Sequence, residues 1–159
     1  MSTPVHVVCG HCQSVVRVPA DKIERSPHCP QCHVGLLETN PFDLTDDGFG
    51  KQLQRNDLPL VVDVWAPWCG PCKAMAPQFV AAAQLMGVAA RFAKLNSDAA
   101  PQTANRLGIR SIPTLIVFHR GRELGRQSGV MDSAALVRWI RSLLLTYQAG
   151  PAQSGKTAQ

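Results

Sequence analysis

Residues 61–77 read VVDVWAPWCGPCKAMAP. With the residues just before it, the segment 58–66 is a mostly apolar, Val-rich run, as expected of a central strand covered on both faces. Past Trp68 the spacing changes: Met75, Phe79, Ala82 or Ala83, and Met86 recur with a helical period, so 71–86 is expected to be a helix. Cys69 and Cys72 therefore fall on a strand-to-helix turn, at the carboxyl end of a strand, where α/β proteins usually place their chemistry. Cys69 is expected near the N-cap, and Pro71 suits the first helical turn. The positive end of a helix favours a thiolate. Pro71 has no N–H, which leaves the Cys72 amide to reach the Cys69 sulfur.

Working outward, the other elements alternate. A strand–helix unit is expected over 42–56, a strand over 91–96, a short helix from Pro101 to Gly108 and a strand over 114–119. A turn at 120–121 leads to an edge-like strand over 122–128. A closing helix over 133–147 follows, with Asp132 as its N-cap. This order predicts an α/β fold, a mixed central sheet flanked by helices. Pro77 is expected to kink the long helix. Residues 149–159, AGPAQSGKTAQ, have nothing to bury and are expected to be a disordered tail.

The first forty residues are of another kind, with four cysteines, four prolines and no Phe, Trp or Tyr. So small a segment needs a staple. Its cysteines form two pairs, Cys9/Cys12 and Cys29/Cys32, separated by sixteen residues. That spacing fits a closed tetrahedral Zn2+ site of four thiolates, with 1–38 as a zinc-ribbon domain and SVVRVP as one of its strands. His11, His28 and His33 crowd the cysteines and could substitute as ligands, but four thiols already suffice. CGHC can also serve as a redox tetrapeptide. No Trp precedes it, no helix follows it and no buried Asp leads into it, so zinc is the preferred reading.

The N-terminus MSTPVHVVCG has no basic stretch and too short an apolar run for a signal peptide or membrane span, so a cytoplasmic location is expected. In a reducing compartment all six thiols are expected to be free or ligated at rest. The net charge of +5 comes from the second segment, notably Arg106, Arg110, Arg120, Arg122 and Arg126. No aromatics are interleaved with these arginines, which argues for a solvated basic surface and against nucleic-acid binding.

WCGPCK after a strand carrying Asp63, with AKLNSD and IRSIPTLIVFHRG further on, resembles the thioredoxin family over nearly all of 41–148. With the four-cysteine segment included, residues 1–148 resemble the thioredoxin 2 type of that family. The resemblance implies a thioredoxin domain at 41–148 and a protein-disulfide reductase. It would work by dithiol–disulfide exchange, with Cys69 as nucleophile and Cys72 as resolving thiol. It also implies Asp63 as proton acceptor for Cys72, Lys94 as the lysine near that Asp, and Pro113 as a cis-proline facing the dithiol and substrate backbone. Trp68, Gly70, Pro71, Ile112, Gly129 and Val130 would complete an apolar docking surface for disulfide-containing proteins. No bound organic cofactor is implied: electrons would come from NADPH through thioredoxin reductase, to a monomer. On its residues alone, Asp63 could instead be a hydrogen-bonded structural carboxylate, Lys94 a surface lysine, and Ile112 and Val130 ordinary core. Four thiolates beside a redox domain also admit a regulatory role for the ribbon, with oxidation releasing zinc and changing partner choice or chaperone-like binding.

Overall fold

The computed structural model describes residues 3–149. A five-stranded mixed sheet lies between two layers of helix and has the order β3-β5-β4-β6-β7. Its strands are β3 (Phe42–Leu44), β4 (Leu60–Trp65), β5 (Arg91–Asn96), β6 (Thr114–His119) and β7 (Arg122–Ser128). β3, β5 and β4 are parallel; β6 runs antiparallel to β4, and β7 antiparallel to β6. The helices are α1 (Asp46–Gln54), α2 (Gly70–Met86), α3 (Pro101–Arg106) and α4 (Ser133–Ala149). The expected order of elements is thus the observed one, and the Val-rich run is the central strand.

Both faces of β4 are dry, which is why the run is apolar at successive positions rather than at alternate ones. Val61 points into a cluster with Met75 and Phe79 of α2 and Leu136 and Ile140 of α4. Val62 and Val64 point the other way, toward Leu44, Phe49, Leu95 and Ala100 beside α1 and α3. β7 is an edge strand with no fully buried residue, matching its polar sequence. Asp132 caps α4 by accepting from the Ala135 amide at 2.8 Å, and Pro77 lies inside the continuous span of α2. α4 runs through Ala149; the expected tail otherwise falls at 150–159, outside the described residues.

Residues 5–37 form a separate small layer around the antiparallel pair β1 (Val5–Val8) and β2 (Val15–Val18). Val7, Val18, Cys9, Cys29 and Leu36 make its core. Sequence reading anticipated β2 but not β1. The ribbon is fastened to the larger sheet at the ends where β4 and β5 begin. The Asp57 amide donates to His6 O at 2.8 Å, and Arg91 Nη1 donates to Val8 O at 2.9 Å. The buried Gln52 amide nitrogen at the end of α1 lies 3.1 Å from Cys9 O. Cys69 and Cys72 sit beyond the other end of β4.

Candidate functional site: the Cys69–Cys72 turn and the four-cysteine cluster

Cys69 is the N-cap of α2, with extended backbone, and its Sγ accepts the Cys72 amide at 3.2 Å. Pro71 occupies the first turn, so the amide available to that sulfur is the one expected. One expectation fails here: Cys69 and Cys72 are joined by a disulfide rather than resting as free thiols. Residues three apart across a helix start bring the two Cα atoms to 5.3 Å, within bonding range, so a reducing setting is not needed to explain the motif. Both cysteines are nearly buried in this state, Cys69 5 % and Cys72 3 % exposed. The difference between them is in their neighbours. Cys69 is flanked by exposed Trp68 and Gly70, whereas Cys72 belongs to the buried face of α2.

Around the disulfide the structure gathers most of the residues anticipated. The Ile112–Pro113 peptide is cis, and the Ile112 carbonyl oxygen lies 3.8 Å from Cys69 Sγ. The Gly129 amide donates to Pro113 O at 2.9 Å, with Gly129 at φ 96°, a conformation that favours glycine. Trp68 is 70 % exposed and Val130 48 %, which removes Val130 from the core; Ile112 is half-buried and packs toward the α1 and α3 side. Beside Trp68, a groove of about 350 Å3 runs past Asn105, Ile109, Arg110 and Ile112. Asp98 was not anticipated: its carboxylate accepts the Trp68 indole N–H at 3.1 Å and orients the ring.

Asp63 is fully buried on the β4 face that α2 covers, and neither carboxylate oxygen has a hydrogen-bond partner. Among the described residues, then, no protein group hydrogen-bonds to this carboxylate. Burial raises its pKa from 3.8 to about 6, against the opposing pull of Lys94. Lys94 sits opposite Asp63 in the β4–β5 register, half-buried, with Nζ 4.6 Å from the centre of the Trp65 ring.

Cys9, Cys12, Cys29 and Cys32 form a second sulfur site, with all four Sγ atoms within 4.8 Å of one another. Cys9 and Cys32 are 3.6 Å apart, as are Cys12 and Cys29. Four thiolates at ~2.3 Å around one zinc would be separated by about 3.8 Å, so the donor set fits. The two loops are built alike. In each, the first cysteine's amide donates five residues on (Cys9 to Ser14 O, Cys29 to Val34 O), and the intervening residue, Gln13 or His33, has positive φ. Backbone amides of His11 and Gln31 point at the Cys9 and Cys29 sulfurs at 3.4 Å. No histidine joins the group among the described residues. Ser14 pulls the exposed Cys12 thiol down to about 6. The Val34 backbone acts to lower Cys32, but burial and the three neighbouring sulfurs outweigh it and push that thiol up to about 12. Four such groups cannot all ionise at this spacing unless a cation balances them.

Two residues that sequence reading missed tie this site to the larger sheet. Gln52 Nε2 lies within 3.3 Å of Val8 O, Cys9 O and Gln13 Oε1. Arg91 Nη1 reaches the same Val8 carbonyl, and the Arg91 guanidinium lies 4.6 Å from the centre of the Phe42 ring. Burial lowers the Arg91 pKa to about 10, so the group stays charged at neutral pH. The signal available in the sequence was an arginine opening a strand just before two apolar residues, Phe92 and Ala93.

Residues 40–142 match the thioredoxin family. Thioredoxin C-3 of Corynebacterium nephridii is 37 % identical over 142 residues, covering 89 % of this chain and 97 % of that protein. That alignment is too long to be confined to 40–142 and so reaches into the cysteine-rich segment. Thioredoxin 1 of Nostoc sp. is 40 % identical over 101 residues, 64 % of this chain and 94 % of that one. In fold, the chain is similar to chloroplastic thioredoxin z, with a TM-score of 0.61 at 23 % identity over 67 % of this chain and 96 % of that one. A reducible cysteine pair opening α2, next to a cis-proline and following a strand that carries a buried carboxylate, is thus found in a chain that belongs to the thioredoxin family and is a protein-disulfide reductase.

Proposed function

We propose that the protein reduces disulfides of other proteins through Cys69 and Cys72, with a zinc-bound ribbon at 1–38 and a thioredoxin domain at 41–148. In the reduced enzyme the Cys69 thiolate attacks one sulfur of a target disulfide and expels the other as a thiolate. Asp63 takes the proton from Cys72. The Cys72 thiolate then attacks Cys69, releases the second target thiol and leaves the Cys69–Cys72 disulfide. The target gains two electrons and the enzyme loses two. An external dithiol reverses the last state: thioredoxin reductase, drawing on NADPH. Lys94 limits how far burial raises the Asp63 pKa. The backbone around Pro113 pairs with the target chain in the manner of strand addition. Trp68, Gly70, Pro71, Ile112, Gly129 and Val130 provide the apolar rest.

The observation that carries this reading is the disulfide at the start of α2 with an unpartnered, buried Asp63 on the adjoining face of β4. Cys69→Ser is expected to abolish reduction of insulin disulfides by a reductase-coupled assay; turnover by that variant would refute the assignment. The ribbon's Cys9, Cys12, Cys29 and Cys32 would hold one zinc ion, whose chemistry is to neutralise and staple four thiolates in a segment with little apolar core. The expected location is the cytoplasm and the expected state a monomer.

A regulatory ribbon is favoured by one observation, the exposure of Cys12 among otherwise more buried ligands. If oxidation releases zinc, a colorimetric chelator should capture it during peroxide titration. Zinc that stays bound while Cys69 and Cys72 oxidise reversibly makes the ribbon a staple only.

A further inference from the structure

Arg91 is a buried cation without a carboxylate. It is 6 % exposed, and the ion pairs among the described residues are His6–Asp57 and Glu123–Arg126. Its polar contact is the Val8 carbonyl at 2.9 Å, and its planar face lies against Phe42. A carbonyl and a ring face orient a guanidinium but do not cancel its charge, and an uncompensated charge in an apolar place is strongly destabilising. The carbonyl it holds belongs to the residue just before Cys9, so the guanidinium lies against the backbone that carries the four-cysteine cluster.

The packing makes that proximity obligatory. A Cβ on Gly10 would come within 2.6 Å of Phe42 Cγ, so the ring fits against the CGHC loop only because residue 10 has no side chain. Phe42 thus packs on the CGHC loop and also carries the Arg91 guanidinium 4.6 Å from its ring centre. Four thiolates around a divalent ion carry a net charge of 2−, and this arrangement sets one fixed positive charge behind them.

We infer that Arg91 is the built-in counter-cation of the four-cysteine metal centre, supplied by the thioredoxin domain's β5 to a site whose four ligands all come from the ribbon. This rests on the zinc reading above. The two sites then need each other. The centre supplies the anion that makes burying Arg91 tolerable, and Arg91 offsets charge that four clustered thiolates would otherwise hold unbalanced. Arg91 is a positioning and charge-balancing residue; it touches neither Cys69 nor Cys72 in this role.

The test is zinc affinity of the reduced full chain, measured by competition with 4-(2-pyridylazo)resorcinol, with far-UV circular dichroism to check folding. Arg91→Met is expected to weaken zinc binding ~10–100-fold, the range typical for groups that support metal ligands. Arg91→Lys, which keeps the charge, should restore most of it. Gln52→Leu, which removes a neutral clamp on the same carbonyls, should cost far less. In a Cys12→His background the centre carries 1− rather than 2−, and the Arg91→Met penalty should shrink. Should Arg91→Met fail to fold, Arg91→Gln keeps a donor for Val8 O and reads the same quantity. Zinc binding in the charge-removed variant as tight as wild type overturns the inference, as does a loss in Arg91→Lys or Gln52→Leu equal to it. Wild-type protein that binds no zinc ends the metal reading itself, a distinguishable result.

Discussion

Asp63 has neither oxygen hydrogen-bonded and no exposure to water, so its ionised form is disfavoured in the folded chain. The sign follows from linkage. A carboxyl whose pKa is higher folded than unfolded costs nothing below the lower value, costs progressively more between the two, and costs a constant amount above the higher. The gap between 3.8 and about 6, at ~1.4 kcal/mol per pH unit, corresponds to about 3 kcal/mol. Asp63→Asn should therefore be more stable than the native oxidised protein by about 2–3 kcal/mol at pH 7.5, with the advantage vanishing near pH 4; urea unfolding at the two pH values measures it. The same variant should reduce insulin at least ~10-fold more slowly, because Cys72 loses its proton acceptor. Asp63 was legible in the sequence because an acid inside an apolar run contradicts its surroundings. The cis geometry at Pro113 was not legible from composition, since nearly all prolines are trans; only the resemblance carried by SIPT pointed to it. The Trp68–Asp98 hydrogen bond was hidden because its partners are thirty residues apart and both exposed.

At the scale of elements, periodicity served well wherever an element is long or covered on both sides. β4, α2 and α4 declare themselves because burial on known faces leaves a pattern. β1 does not: four residues, VHVV, beside the chain start carry no alternation to distinguish a strand from an apolar loop. Its pairing with β2 is set by the knuckle between them, and that knuckle leans on the rest of the molecule through Gly10 and Phe42. Gly10→Ala should accordingly displace the Phe42 ring and destabilise the docked ribbon by about 1–3 kcal/mol, as overpacking generally does. The measurement is limited proteolysis of the N-terminal segment, expected to speed up while insulin reduction is kept. A smaller effect is expected at the start of α1, where Thr45 Oγ1 accepts the Gly48 amide at 2.9 Å. Thr45→Ala should lower the denaturant-derived stability by about 1 kcal/mol.

For the whole molecule, the division into a metal-stapled layer and a self-sufficient sheet implies unequal dependence on zinc. Chelation of the reduced protein should remove hydrogen-exchange protection from 5–37 while β4, β6 and β5 beyond Arg91 keep theirs, because the large clusters on both faces of β4 contain none of the ribbon's sulfurs. Loss of protection throughout would mean the two layers fold as one unit. The separation into two chemistries was legible from cysteine spacing alone. The way they are joined was not, since Gln52 and Arg91 meet their partners 44 and 83 residues away, and no local pattern records a contact of that range.

The ribbon's attachment where β4 and β5 begin has a consequence for thiol scrambling. Six residues of strand at ~3.3 Å each put about 20 Å of rigid backbone between the attachment and the catalytic turn, whereas a disulfide requires Cα atoms within ~7 Å. Peptide mapping after harsh oxidation should then find bridges within each sulfur set and none crossing from one to the other. A single strand acts as insulation: electrons can be traded at one end of the sheet while the cysteines at the other remain spectators.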